Sequence, residues 1–228
     1  MKTNENRIRA VVFDMDGLMF NTEDVYAAVG ARMLRRRGHE FTAELKNQMM
    51  GLRPRPAFEA MIRHCNLAEK WRELAAESNR LFLEILGGRL KPMPGLMELL
   101  DALERAKIPK AIGTSSSREL VAACLKPFGF VGRFQFVLAA EDVENGKPHP
   151  EIYLTVARRL GIQPGEMMVL EDSENGCAAA AAAGAFAVAV PGEHSREHDF
   201  GAALLVVDSL SDPQLYRVLG ITPRGQGV

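Results

Sequence analysis

Four short stretches of this 228-residue chain carry residue types that can do chemistry. They are Asp14-Met15-Asp16-Gly17, Thr114-Ser115-Ser116-Ser117, Gly146-Lys147-Pro148-His149-Pro150 and Glu171-Asp172-Ser173-Glu174-Asn175-Gly176. Singly, each has an ordinary reading: a solvated carboxylate pair, a Ser or Asp capping the next helix, a loop lysine. Together they make a set. Asp14, Asp16, Glu171 and Asp172 on one surface would repel one another unless a cation neutralised them. Oxygen ligands at that density suit Mg²⁺. Lys147 and the Thr114 hydroxyl supply the opposite need, a grip for an anion beside the metal. Metal, anion grip and spare carboxylates are the parts of a phosphoryl-transfer site.

The elements that must gather these residues are legible in the hydrophobic pattern. Short apolar runs stand at Ile8–Phe13, Lys110–Gly113, Phe136–Leu138, Met167–Leu170, Ala185–Val190 and Leu204–Val207. Their brevity and β-branched content read as buried strands. Asp14, Thr114 and Glu171 directly follow the first, second and fourth, and Lys147 follows the third at a short distance. Between the runs, Leu96, Leu99, Leu100 and Leu103 repeat at helical spacing, as do Ile152, Val156 and Leu160. Alternating strand and helix predicts an α/β fold, a doubly wound, Rossmann-like parallel sheet with helices on both faces. Such a sheet brings its strand ends to one edge, where ligands bind.

Residues 23–90 break the rhythm with helical stretches at Val25–Arg37, Thr42–Met50, Arg55–Cys65 and Trp71–Leu86 and no strand. Gly87-Gly88, Pro92 and Pro94 mark the return to alternation. The expected organisation is an α/β core of residues 1–22 and 91–228 with a helical cap domain, 23–90, inserted after the first strand. The insertion holds ten Arg and two Lys against nine acidic residues, a mildly positive balance suited to an anionic substrate. Arg35-Arg36-Arg37 reads as a helix C-terminus favoured by the dipole. The Ala178–Ala183 run reads as a helix packed closely on the sheet, and Thr222–Val228 as a frayed tail.

Composition excludes several classes. With 47% hydrophobic and 25% charged residues the chain is ordinary globular protein. A net charge of −1 removes the electrostatic case for nucleic acid or a membrane surface as partner. Cys65, Cys124 and Cys177 are too scattered for a disulfide framework or a structural zinc site and read as buried thiols. The polar start, Met1–Arg7, does not read as a signal peptide, and no apolar run approaches the ~18 residues of a membrane span. The expected location is cytoplasmic.

The four motifs, in order and so spaced, resemble the haloacid dehalogenase superfamily, in its phosphatase members with a helical cap after the first strand. Phe13-Asp14-Met15-Asp16-Gly17-Leu18 is similar to the first motif, Thr114 to the second, Lys147-Pro148 to the third and Glu171-Asp172 to the fourth. The likeness covers roughly residues 8 to 210 and is greatest to the branch holding β-phosphoglucomutase and small sugar-phosphate phosphatases. It implies that Asp14 attacks phosphorus and becomes a transient aspartyl phosphate. It implies that Asp16 protonates the leaving oxygen and then deprotonates the hydrolytic water. By the same resemblance Mg²⁺ is held by Asp14, the Asp16 carbonyl and Asp172, with Glu171 acting directly or through water. Thr114, backbone amides near Ser115, and Lys147 hold the phosphoryl oxygens, and Gly17 lets the chain turn tightly around them. An ordinary Asp titrates near 4, so Asp16 must be kept protonated by its surroundings.

Dehalogenases and phosphonatases resembling this chain lack the second aspartate, so Asp16 selects phosphate-ester chemistry. Against a phosphosugar mutase stand Tyr26, where the mutases resembling this chain keep a histidine, and Lys46 and Lys70, neither placed like the mutase cap lysine. Arg53, in Gly51-Leu52-Arg53, resembles the cap-loop arginine of the phosphatases and is expected to bind substrate. A phosphoacceptor signalling domain also joins acids, a hydroxyl and a Lys, but lacks the helical insertion. The expected substrate is a small phosphorylated metabolite of the sugar-phosphate kind, with Asn21, Arg53, Arg80, Ser116 and Arg118 as candidates to face it. Thr22, Glu23 and Leu90–Pro94 are the expected hinges of the cap.

Overall fold

A computed structural model describes residues 8–49 and 52–223; Met1–Arg7, Met50, Gly51 and the tail from Arg224 lie outside the described residues. Six parallel strands form one sheet in the order β3-β2-β1-β4-β5-β6: β1 Ala10–Phe13, β2 Lys110–Gly113, β3 Val137–Leu138, β4 Met167–Glu171, β5 Phe186–Ala189 and β6 Leu205–Val206. All six are the runs expected from the sequence: four are trimmed at their ends, β2 is unchanged and β4 runs one residue further, to Glu171. The doubly wound α/β class follows from the order, which reverses direction between β1 and β4.

Alternation along each strand divides the core between the two faces. Val11, Phe13, Met168, Leu170 and Val188 pack on one face with α5 Leu96–Arg105, α6 Arg118–Leu125 and α9 Pro213–Leu219. Val12, Ala111, Val169 and Ala187 pack on the other with α7 Glu151–Leu160 and α8 Glu174–Ala182. Both faces are covered, which is why these strands read as unbroken apolar runs. Ala179 and Ala180, both fully buried, bring α8 close to the sheet.

Between β1 and α5 the described residues form four helices and no strand: α1 Thr22–Arg35, α2 Ala43–Met49, α3 Pro54–Cys65 and α4 Trp71–Leu86. Val25, Val29 and Met33 make a buried stripe along α1, and Leu74, Leu81 and Phe82 along α4. These stripes face each other, with Tyr26 and Phe82 rings 4.7 Å apart. Arg36 and Arg37 do more than complement a helix dipole. Arg37 bonds Glu69 at 2.7 Å, Glu77 at 2.6 Å and the Met33 carbonyl, and Arg36 joins Glu77, so the pair ties the end of α1 to α4.

The entry and exit of this helical segment lie side by side. Met93 N–H donates to the Met19 carbonyl at 2.8 Å and Asn21 N–H to Lys91 at 3.1 Å. The Asn21 side chain accepts from Lys91 N–H at 2.7 Å and donates to Arg89. Asn21 thus fastens the two crossings together instead of facing a substrate.

Candidate active site

Strand register puts the chemistry at one edge. Phe13 pairs with Ile112 on one side and Leu170 on the other, so the residues that follow, Asp14, Gly113-Thr114 and Glu171-Asp172, emerge level with one another. Asp14 is fixed there by its own N–H, which donates to the Leu170 carbonyl at 3.0 Å. Thr114 is held likewise on Leu138. Asp14, Thr114, Lys147, Glu171 and Asp172 are all buried.

One carboxylate oxygen from each of Asp14, Glu171 and Asp172 lies within 4.8 Å of the others. The Lys147 ammonium reaches in from its loop to Asp14, to Glu171 at 2.5 Å and to the Gly113 carbonyl at 3.1 Å. Burial opposes its charge, but the Asp14 and Glu171 carboxylates outweigh that and hold the ammonium well above its usual range. Burial pushes Asp14 and Asp172 the other way, toward the neutral form, and each is raised further by its acidic neighbours. One lysine does not balance three carboxylates. An all-oxygen donor set with surplus negative charge is what a hard divalent cation requires, and the cluster fits Mg²⁺.

Two glycines permit the crowding. A Cβ on Gly17, whose φ is +75°, would collide with the Asp172 carboxylate, and one on Gly176 would fall on that of Glu171. Gly17 therefore does more than turn the chain; it admits Asp172. Ser173 caps α8 by accepting from Gly176 N–H and donates its hydroxyl to Glu171 at 3.2 Å.

Asp16 sits apart from that trio. Its Oδ2 accepts from Ser116 Oγ at 2.7 Å and Thr114 Oγ1 at 3.2 Å, while its buried Oδ1 has no hydrogen-bond partner among the described residues. Burial raises its pKa, and the hydroxyls of Ser116, Thr22 and Thr114 temper the rise. The proton that the sequence could not account for is thus favoured by desolvation.

Asp14, Asp16, Ser115, Ser116, Lys147 and Asp172 open onto a single cavity of about 210 Å³. Arg53 is not with them. Its guanidinium donates to the carbonyls of Ala140 (3.1 Å), Val143 (2.9 Å) and Glu144, and its stem fills the space beside Gly146. The expected substrate ligand is here a clasp between the start of α3 and the loop after β3. Arg118 is spent on Asp142, and Arg80 is exposed; of the residues expected to face substrate, Ser116 alone among Asn21, Arg53, Arg80, Ser116 and Arg118 lines the cavity.

Tyr153 was not anticipated at the site, and Tyr26, Glu23 and Lys46, weighed from the sequence in other roles, stand there too. Tyr153, fully buried on α7, donates its hydroxyl to Glu171. Tyr26 places its hydroxyl 3.4 Å from Ser116, behind Asp16. Glu23 and Lys46 stand in the cavity wall, Glu23 pushed up to about 7 by burial and by Asp16. Glu23 lies in the first turn of α1, close behind the first motif, which was a readable signal; nothing local to Tyr153 announces it.

Comparison with known proteins agrees with this geometry. The family model of the haloacid dehalogenase-like hydrolases matches residues 11–190. A phosphorylated carbohydrates phosphatase from Thermotoga maritima is 31% identical over 181 residues, 78% of this chain and 82% of its own. The fructose-1-phosphate phosphatase YqaB of Escherichia coli is 30% identical over 186 residues, 81% of this chain and 97% of its own. CbbY from Rhodobacter sphaeroides, solved in complex with phosphate, matches with a TM-score of 0.80 at 26% identity, over 90% of this chain and 96% of that one. A family model spanning most of the chain, relatives at this identity and a shared fold establish that the chain belongs to the haloacid dehalogenase-like hydrolases.

Proposed function

We propose that this hydrolase is a Mg²⁺-dependent phosphatase of a small phosphorylated metabolite of the sugar-phosphate kind, working through an aspartyl phosphate. The observation that carries the reading is the convergence of Asp14, Lys147, Glu171 and Asp172 at one sheet edge, with a separately held Asp16 opening onto the same cavity. The names of the relatives, which act on phosphorylated carbohydrates and fructose 1-phosphate, support the substrate class.

In this reading an Asp14 oxygen bonds to phosphorus as the ester P–O bond breaks. Asp16, kept protonated by burial, gives its proton to the departing alkoxide. Asp16 then takes a proton from water, whose oxygen attacks phosphorus and frees Asp14 and inorganic phosphate. Lys147, Thr114 and the backbone at Ser115 grip the phosphoryl oxygens. Asp14, Asp172, the Asp16 carbonyl and Glu171, directly or through water, would hold Mg²⁺, which supplies neutralising charge for the phosphate and the carboxylates.

Residues 23–90 act as a cap domain over a core of 1–22 and 91–228, excluding water while phosphoryl transfer proceeds. The paired crossings at Met19–Asn21 and Lys91–Met93 support a hinge there. The enzyme works as a cytoplasmic monomer or weak dimer without nucleic-acid or membrane partners; its cysteines are free, and among the described residues no helix is long and apolar enough to cross a membrane. Lys46 in the cavity wall favours a second reading, a phosphosugar mutase gripping a second phosphate, but Arg53 is bonded to carbonyls and gives that grip no help.

The test is phosphate release from a panel of sugar phosphates, nucleotides and acyl phosphates, with Mg²⁺ and with EDTA. Release that needs Mg²⁺ supports the phosphatase. Isomerisation of a hexose 1-phosphate primed with its bisphosphate, without net release, would transfer the site to the mutase.

A further inference from the structure

The cavity does not stop at the carboxylates. From Asp14 and Asp16 it runs on into the helical segment, where Met33, Phe41, Met49, Ala57, Phe58 and Met61 line it. These six offer no side-chain donor or acceptor other than thioether sulfur. Of the segment's polar side chains on the cavity, Glu23 and Tyr26 stand beside Asp16 and Ser116 at the phosphoryl end, Lys46 stands by Glu23, and Ser78 and Asn79 belong to α4. The cavity is therefore polar where phosphate must sit and, Ser78 and Asn79 apart, hydrocarbon in the rest of the segment.

That division discriminates among leaving groups. A hydroxyl carried from water to a wall of Met and Phe loses its hydrogen bonds without replacement, whereas a CH₂ or ring face gains by leaving water. A fully hydroxylated hexose would strand several hydroxyls at the far end. Thioether side chains adapt their shape to an apolar group but cannot pair with an alcohol.

We propose that the substrate's leaving alcohol is polar beside the phosphate and hydrocarbon beyond it, with the apolar part seated among Met33, Phe41, Met49, Ala57, Phe58 and Met61. This rests on the phosphatase reading and narrows it: a deoxygenated or alkyl-bearing phosphosugar fits, a hexose phosphate with every hydroxyl in place does not.

The experiment compares two esters of equal ring size, cyclohexylmethyl phosphate and glucose 6-phosphate, with inorganic phosphate as reference. Binding is measured calorimetrically on the Asp14→Asn protein with Mg²⁺, so the comparison does not depend on turnover. The cyclohexyl ester is expected to bind at least tenfold more tightly than the glucose ester. Met49→Gln, close in shape but polar, is expected to shrink that ratio to threefold or less. Phe41→Tyr, also half-buried, reads the same change if Met49→Gln lowers folding stability. Equal affinities, a preference for the glucose ester, or a ratio untouched by both substitutions overturns the proposal. Binding of phosphate without either ester overturns it while leaving the phosphatase reading in place. Failure to bind phosphate at all removes both.

Discussion

Asp16 is the residue whose state decides whether the site can work, because the same carboxyl must give a proton and then take one. Burial alone would bias it toward the acid, and three hydroxyls pull it back. Removing one shifts the balance in a defined direction. Ser116→Ala deletes a 2.7 Å bond that favours the ionised form, so the Asp16 pKa rises. Activity that requires the protonated acid then persists to higher pH, and the alkaline limb of kcat/KM is expected to move up. A limb that moves down, or stays, would mean another group sets it. At this scale the motif positions were legible because each acid, hydroxyl or lysine followed an apolar run that had to be a strand or lay shortly beyond one. Tyr153 was not. It is an aromatic on a helix with no motif around it, and only the crossing of α7 over the sheet aims its hydroxyl at Glu171.

Elements position these residues through contacts made by charged side chains that composition alone treats as solvated. Arg53 is the clearest case. Three backbone carbonyls take its donors, so Arg53→Lys, with a point charge in place of a planar fork, keeps the charge and loses the clasp. If the clasp holds the helical segment over the sheet edge, KM is expected to rise about tenfold for a small phosphate ester with a smaller change in kcat. A fall in kcat alone, at unchanged KM, would contradict that role. Glu104 plays a similar part at the far side of the sheet, where Arg133 and Lys110 bring it to about 2. Its folded value lies below the ordinary 4.5, so its stabilising contribution is present above about pH 4.5 and is lost as pH falls toward 2. Glu104→Gln is therefore expected to lower the urea midpoint at pH 6, modestly since the carboxylate is half-exposed, and to match the parent near pH 2. Helix and strand order could be read from the sequence because period and β-branching survive without tertiary context. The ties made by Arg36, Arg37 and Arg53 could not, since each depends on which element the fold brings opposite.

The whole molecule pays an electrostatic cost for its site. Asp14, Glu171 and Asp172 crowd together in the interior with one ammonium among them, and burial already resists ionising Asp14 and Asp172. A divalent cation bound only by the folded chain relieves that strain and stabilises by mass action, by about 2.7 kcal/mol at a hundredfold excess over Kd. For a chain of this size that corresponds to a rise in Tm of about 5–10 °C with Mg²⁺, reversed by EDTA and absent in Asp172→Ala. No change in Tm at any Mg²⁺ concentration would count against the carboxylates as a metal site. The parallel sheet was legible because alternation of strand and helix leaves few other architectures, and with it the single edge on which four distant motifs meet. The extent of the cavity was not legible, because Met33 and Met61 lie in stretches read only as helix and Phe41 between two of them, and they become a wall only when the segment packs.

The most direct test asks whether Asp14 carries the phosphoryl group. Asp16→Asn protein with Mg²⁺ would be mixed with radiolabelled acetyl phosphate, whose leaving group needs no acid, quenched within milliseconds and digested. Without Asp16 to activate water the intermediate should accumulate, giving hydroxylamine-labile label on the peptide that contains Asp14 and none in the Asp14→Asn,Asp16→Asn double variant. Label on another residue, or no label while the parent enzyme releases phosphate, would contradict the account.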